Sequence, residues 1–376
     1  MPHLHPRFAS GLLAGTAAVM LASLIGGTAG ATDLEGRQTV SNNQKLEQAW
    51  TSDGQPIPMA AAAHGLYTVQ TGSNATGDSM LTLDRNSQSA EIAGNVAANM
   101  LNAKGSHGDG GDYYEPAPFA VLDNYQSGDD IVTATSGMTV SVPSQIGASS
   151  VTLSNNANTA FARMNDASNT LSVDAVDLSG DVVLNSWQHS TGKVFANADS
   201  SMSVGNSDAY VQNARLDVRS NSAASEANGN RALNALSVSS VTGSGGRPLL
   251  DNRQSNTAVV DAVTNAAFIV DGSGAMQSAI GIEGNSASSI ARGNAALNRA
   301  VVDGMSTALV SNAQVNRGPV SATVNGLFGA AMASDVSGAM GSVSGNGLAA
   351  TATGNQAVNM LTATGSFGSG SSEAPR

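Results

Sequence analysis

Few side chains in this chain are spaced for bond-breaking or metal chemistry. The five histidines are His3, His5, His64, His107 and His189, and none pairs with another at ligand spacing. Without an HExxH motif and without any cysteine, a zinc site is not expected. Serines are plentiful, yet none occupies a G-x-S-x-G elbow with a histidine to activate it. Gly272-Ser-Gly274 and Gly243-Ser-Gly-Gly246 lack the lysine of a phosphate loop and read as corner glycines. The acidic cluster His107-Gly-Asp109-Gly-Gly-Asp112-Tyr-Tyr-Glu115 is the one place where carboxylates could share calcium, through Asp109, Asp112 and Glu115. It matches no calcium-loop pattern and occurs once, so a solvated loop is the preferred reading, as it is for Asp129-Asp130. No catalytic residue and no cofactor is expected, and the chain is read as a non-enzyme.

The residues that do recur are amides. A phrase whose clearest form is NGLAATATGNQAVNML, Asn346 to Leu361, occurs five times and begins at Asn86, Asn156, Asn221, Asn285 and Asn346. Nine positions later stand Asn95, Asn165, Asn230, Asn294 and Asn355, and four beyond those Asn99, Asn169, Asn234, Asn298 and Asn359. A second phrase precedes each copy and ends on Gln44, Gln126, Gln188, Gln254 or Gln314, with an aliphatic residue four before the glutamine. An amide both donates and accepts, so a column of them can satisfy itself inside a protein.

Such columns need elements that hold equivalent residues in line. Matched positions fall two apart, as in Asn230, Ala232, Asn234 and Leu236, while the residues between them vary. That is the strand period, with one face constrained. Runs such as Met138-Thr-Val-Ser-Val142 also prefer strands. The parity changes at Gly94, Gly229, Gly293 and Gly354, with Met164 the exception, and each is followed by asparagine. Both residues tolerate left-handed angles, so the pair is expected to turn a corner. For these asparagines an outward turn role and an inward ladder are both open. For Asn99, Asn169, Asn234, Asn298 and Asn359 the ladder is favoured, and the glutamines are expected to form a parallel column.

The predicted fold is therefore all-β, a parallel β-helix-like repeat solenoid of five units of about 60–70 residues, stacked because one unit cannot bury a face alone. The units run over about 40–101, 122–171, 184–236, 250–300 and 310–361, within a solenoid spanning 40–363. Spacing leaves open a single large coil or three coils of about twenty residues in each unit; the intermediate alternating runs favour about three, and an extended rod is expected. Leu46 to Pro58 and the stretch from Leu101 to Leu122 are expected to be loops.

Residues 1–31 read as an export signal, with His3, His5 and Arg7 ahead of an apolar run from Gly11 to Ile25 and Ala29-Gly30-Ala31 as the cleavage site. Residues 32–39 form a lead-in, 364–376 a disordered Gly/Ser tail, and no transmembrane helix is expected after cleavage. Only 12% of residues are charged, and the net charge is −12. Lys and Arg total 16 and are scattered singly, so no basic face for nucleic acid can be drawn.

The N-x-Q…V-x-A and N…A-x-G-N-x-A-x-N-x-L phrases, in an acidic, cysteine-free chain, resemble those of the holdfast attachment proteins of stalked bacteria, over roughly Val40 to Ala363. The resemblance implies an exported, cell-surface protein, peripherally associated with the outer membrane. It would anchor an adhesive holdfast polysaccharide together with companion holdfast anchor proteins, one amyloid-like and one a lipoprotein. No catalytic residues come with that family. The Asn and Gln phrases are also similar to those of curli-type amyloid subunits, which would imply self-association, and the texture is similar to trimeric autotransporter heads. After the curli-type subunit, a polysaccharide-active enzyme on a β-helix is the second alternative.

Overall fold

The computed structural model describes residues 34–35, 37–68, 80–109, 118–142, 146–147, 149–205, 211–242, 245–271, 276–331 and 338–365. The proposed signal, Asp112, Glu115 and all of the tail beyond residue 365 lie outside them. Every long strand pairs in parallel with its counterpart in the next repeat, which makes the molecule a parallel β-solenoid. Among the described residues no helix is long and apolar enough to cross a membrane.

Each unit is a single coil of four strands, and this corrects the expectation of about three coils per unit. In the third coil they are Val182–Ser190, Lys193–Val204, Arg215–Arg219 and Ser222–Ser240. Their equivalents stack into a glutamine sheet, a broad sheet and a short sheet of five strands each, and a six-stranded asparagine sheet. The sixth strand is the two-residue Leu34–Glu35, which pairs with Gly108 and Asp109. The alternating run at Met138–Val142 does not start a new coil; it is the second half of the broad-sheet strand Ile131–Val142. A local period of two marks a strand but says nothing about how many strands complete a circuit.

Proportions follow from that circuit. Five coils at about 4.8 Å rise to roughly 24 Å, whereas the twelve-residue strand Ile131–Val142 alone runs roughly 40 Å. The single molecule is thus wider than it is tall, and the extended rod is corrected to a short stack.

Two stretches read as loops are partly strand. Asn102 to Asp109 continue the strand that begins at Ser87, because backbone pairing with the second coil persists to Gly108. Within Leu46 to Pro58, Ala49–Trp50 and Pro56–Ile57 form a small exposed antiparallel hairpin.

Inward side chains divide the interior into apolar and amide bands. Met138, Val140, Leu153, Leu216, Phe268 and Ile282 pack between the broad and short sheets. Leu122, Leu171, Leu184, Leu236 and Leu250 pack between the glutamine and asparagine sheets. Alanines and valines fill the third band, including Val132, Ala134, Ala160, Ala196 and Ala262, around Met164. Small residues let the two sheets approach there.

Two kinds of corner shape each coil, one between strands and one within a strand. The turn into the asparagine sheet has a left-handed residue in every coil: Arg85, Asn155, Ser220, Gly284 and Gly345, with φ of 57°, 54°, 55°, 64° and 63°. The second corner lies at Gly94, Met164, Gly229, Gly293 and Gly354, where the inward parity flips within one strand. None of these five has positive φ, so left-handed geometry is not the reason for glycine. Space is the reason. A Cβ on Gly229 would lie 2.6 Å from the Gly293 carbonyl oxygen and 2.5 Å from Asn256 Oδ1. Met164 is admitted in the second coil because the facing residue is Gly128, where a Cβ would meet Met164 Sδ at 2.4 Å.

Candidate functional site

The amide columns occupy the interior between these bands. Asn95 donates through Nδ2 to Oδ1 of Asn165 at 2.7 Å, Asn165 to Asn230 at 2.7 Å, Asn230 to Asn294 at 2.8 Å and Asn294 to Asn355 at 2.7 Å. The Gly-Asn asparagines thus face inward, and Asn165, Asn230 and Asn294 are fully buried. A second column, Asn99, Asn169, Asn234, Asn298 and Asn359, is linked in the same sense at 2.8 Å per step. The glutamines run the other way: Gln126 donates to Gln44, Gln188 to Gln126, Gln254 to Gln188 and Gln314 to Gln254, at 2.6–2.8 Å.

Backbone carbonyls set these directions. The second amide hydrogen of Asn95, Asn165, Asn230 and Asn294 goes to the carbonyl of Ser127, His189, Ser255 or Val315, which can only accept. Likewise Gln44, Gln126, Gln188, Gln254 and Gln314 donate to Val96, Asp166, Arg231, Ala295 and Gln356 carbonyls. The nitrogen of each amide is therefore identified by its neighbour, and the flow of donors along the column follows.

Two further columns were not among the sequence candidates. The phrase-opening Asn86, Asn156, Asn221, Asn285 and Asn346 follow the left-handed corner, and each of the first four sends both its backbone N–H and its Nδ2 to Oδ1 of the next, at 2.7–3.1 Å. Their recurrence in every copy was the available signal. Asn42, Asn124, Ser186, Asn252 and Asn312 make the other, with Asn42 donating to Asn124 at 3.0 Å and Asn252 to Asn312 at 2.7 Å. It is joined sideways to the second column by Asn99 to Asn124 at 3.0 Å and Asn234 to Asn252 at 3.1 Å.

Chemistry outside the columns is sparse. A groove of about 820 Å³ crosses the broad sheet, lined by His64, Leu66, Asp199, Asn265, Asn325 and Leu327. Asn325 donates to Asn265 and Asn265 to Asp199, which ties the one carboxylate of the lining into a surface amide chain. Acid–base hydrolysis of a glycan needs two carboxylates flanking the bond. Asp109 of the acidic cluster sits at the strand end that pairs with Glu35. Among the described residues no three histidines or carboxylates converge on a metal position.

Asp129-Asp130, read as solvated, is a tight turn in which Asp130 is buried and accepts from the Ile131 N–H at 2.6 Å. Burial holds the Asp130 carboxyl above the ordinary aspartate range. Asp84, by contrast, is held below that range by hydrogen bonds from Ser154 and Asn155 in the next coil.

Comparison of the chain with protein-family models, curated proteins and solved structures returns no match.

Proposed function

We propose that this protein is a structural component of a bacterial cell surface, one that anchors an adhesive holdfast polysaccharide to the outer membrane with companion anchor proteins. The observation that supports this reading is the investment of the interior in unbroken amide columns through all five coils. A scaffold of this kind resists shear because every coil is tied to its neighbours by backbone and side-chain hydrogen bonds together. Its hydroxyl- and amide-rich outer faces offer many weak contacts to a polymer, and these add by avidity. Deleting the coding region should release the adhesin into the medium while polymer synthesis continues at its usual level. Adhesin retained on deleted cells would overturn the anchoring role.

A second reading, a secreted amyloid-like subunit, is favoured by the last coil. Leu361 is 48% exposed, whereas its equivalent Leu171 in the second coil is fully buried. Conversion of the purified protein into thioflavin-positive fibres with loss of its folded spectrum would favour that subunit over the anchor.

A further inference from the structure

The two ends of the stack are complementary to each other. At the last coil Asn359 accepts from Asn298, and among the described residues no acceptor receives its own amide hydrogens. Gln314 there presents Oε1, since its Nε2 is spent on Gln254 and the Gln356 carbonyl. The first coil offers the converse. Asn99 and Asn95 present Oδ1, their nitrogens having donated onward. Gln44 keeps one hydrogen of Nε2 beyond the one given to the Val96 carbonyl. A first coil set against a last coil in the internal register would therefore meet donor with acceptor in both kinds of column.

A second, independent observation gives the same partner. At several outward positions the first and last coils carry the same apolar residue where the middle coils do not. Leu66 and Leu327 share a column with Thr139, Ser201 and Ala267. Met80 and Met340 share one with Ser150, Arg215 and Ala279, and are 79% and 74% exposed. Met100 and Met360 share one with Thr170, Ala235 and Arg299. The glutamine phrase agrees as well, VSNNQ at Val40–Gln44 and VSNAQ at Val310–Gln314. Apolar side chains that stand exposed at opposite ends of one molecule would become direct neighbours where two molecules meet. The strand Leu34–Glu35 leaves that edge clear, because it covers only Gly108 and Asp109, past Lys104, the position in register with the strand end Thr364.

We propose that the first coil of one copy docks on the last coil of another, head to tail and in the internal register, so that the solenoid continues from molecule to molecule. This goes beyond the anchoring role and does not require it.

The absence of cysteine makes a clean test. Met100→Cys and Met360→Cys lie in one column at opposite ends, four spacings or about 19 Å apart within a molecule, too far for an internal bridge. In the proposed contact they are about 4.8 Å apart, inside the span of a disulfide. Met100→Cys and Met360→Cys chains, mixed and oxidised mildly, should give a heterodimer of doubled mass on a non-reducing gel. Either alone should stay at single mass, and the double variant should give a ladder of multiples. The off-register pair, Met80→Cys with Met360→Cys, should not link. Both positions are exposed and outward, and matching circular dichroism of each variant with the parent establishes that it is folded. Failure of the mixture to link, or equal linking by one variant with itself, would overturn the head-to-tail contact. The anchoring role is read separately from adhesin release in cells.

Discussion

A single amide inside a column cannot be removed alone. Asn230→Ala would strand the Nδ2 of Asn165 and the Oδ1 of Asn294, both fully buried. Each buried group left without a partner costs about 1–3 kcal/mol, so a loss of roughly 2–5 kcal/mol is expected in denaturant unfolding. Asn359→Ala, at the open end, should cost a small fraction of that. Asp130 gives a pH signature. Its folded-state carboxyl is raised by burial, so the folded protein binds the proton more tightly than the unfolded chain. Stability contributed by this group is present at low pH and falls as pH rises from the unfolded value near 3.8 through the raised one. Asp130→Asn should therefore raise the melting temperature at pH 7, with the gain shrinking as the pH is lowered through that window. At this scale the sequence is partly legible. Asn99, Asn169, Asn234, Asn298 and Asn359 share parity with alanine and leucine, which points them inward. The burial of Asp130 has no such mark, because an acidic pair such as Asp129-Asp130 between two strands looks the same whether solvated or enclosed.

At the scale of the element, two corners with different physics explain why some positions demand glycine and others only favour it. The second corner is crowded. Gly229→Ala would press a Cβ to 2.6 Å from a backbone oxygen and should cost about 1–3 kcal/mol, as overpacking does. Gly354→Ala, whose Cβ would stand 3.2 Å from Asn316 Nδ2, should cost much less. The first corner is left-handed, and Ser220 occupies it at φ of 55°. Ser220→Gly should raise stability by about 0.5–1 kcal/mol, relief of the Cβ clash outweighing the entropy of the freer unfolded chain. Urea midpoints of the three variants measure these differences. The strands were legible from their period, and the parity flip marked the second corner. Its cause was misread, since Gly-Asn as a local pair suggests left-handed angles, and the Gly293 carbonyl that excludes a methyl group belongs to the next coil. The number of coils per unit escaped for the same reason: circuit closure depends on contacts about 60 to 70 residues away, which no local spacing records.

For the whole molecule, repetition makes the coil the unit of deletion. Excising residues 222–285, which joins Asn221 to Ser286 across the 64-residue repeat, keeps every column in register. Such a chain should fold with the parent's far-UV circular dichroism scaled to its length, whereas removal of half as many residues should abolish cooperative unfolding. The same arithmetic governs how the chain first acquires structure. Asn86 finds its column neighbour 70 residues further along, and Gln44 finds its own 82 away. Closing a loop of that size costs roughly 4 kcal/mol in chain entropy before any ladder compensates it, and topologies dominated by distant contacts form slowly. A newly made chain must therefore hold its opening strand unmatched until a full circuit has been produced and the second has begun. Once one circuit stands complete, each later strand is laid on a finished template, so the wait belongs to the beginning alone.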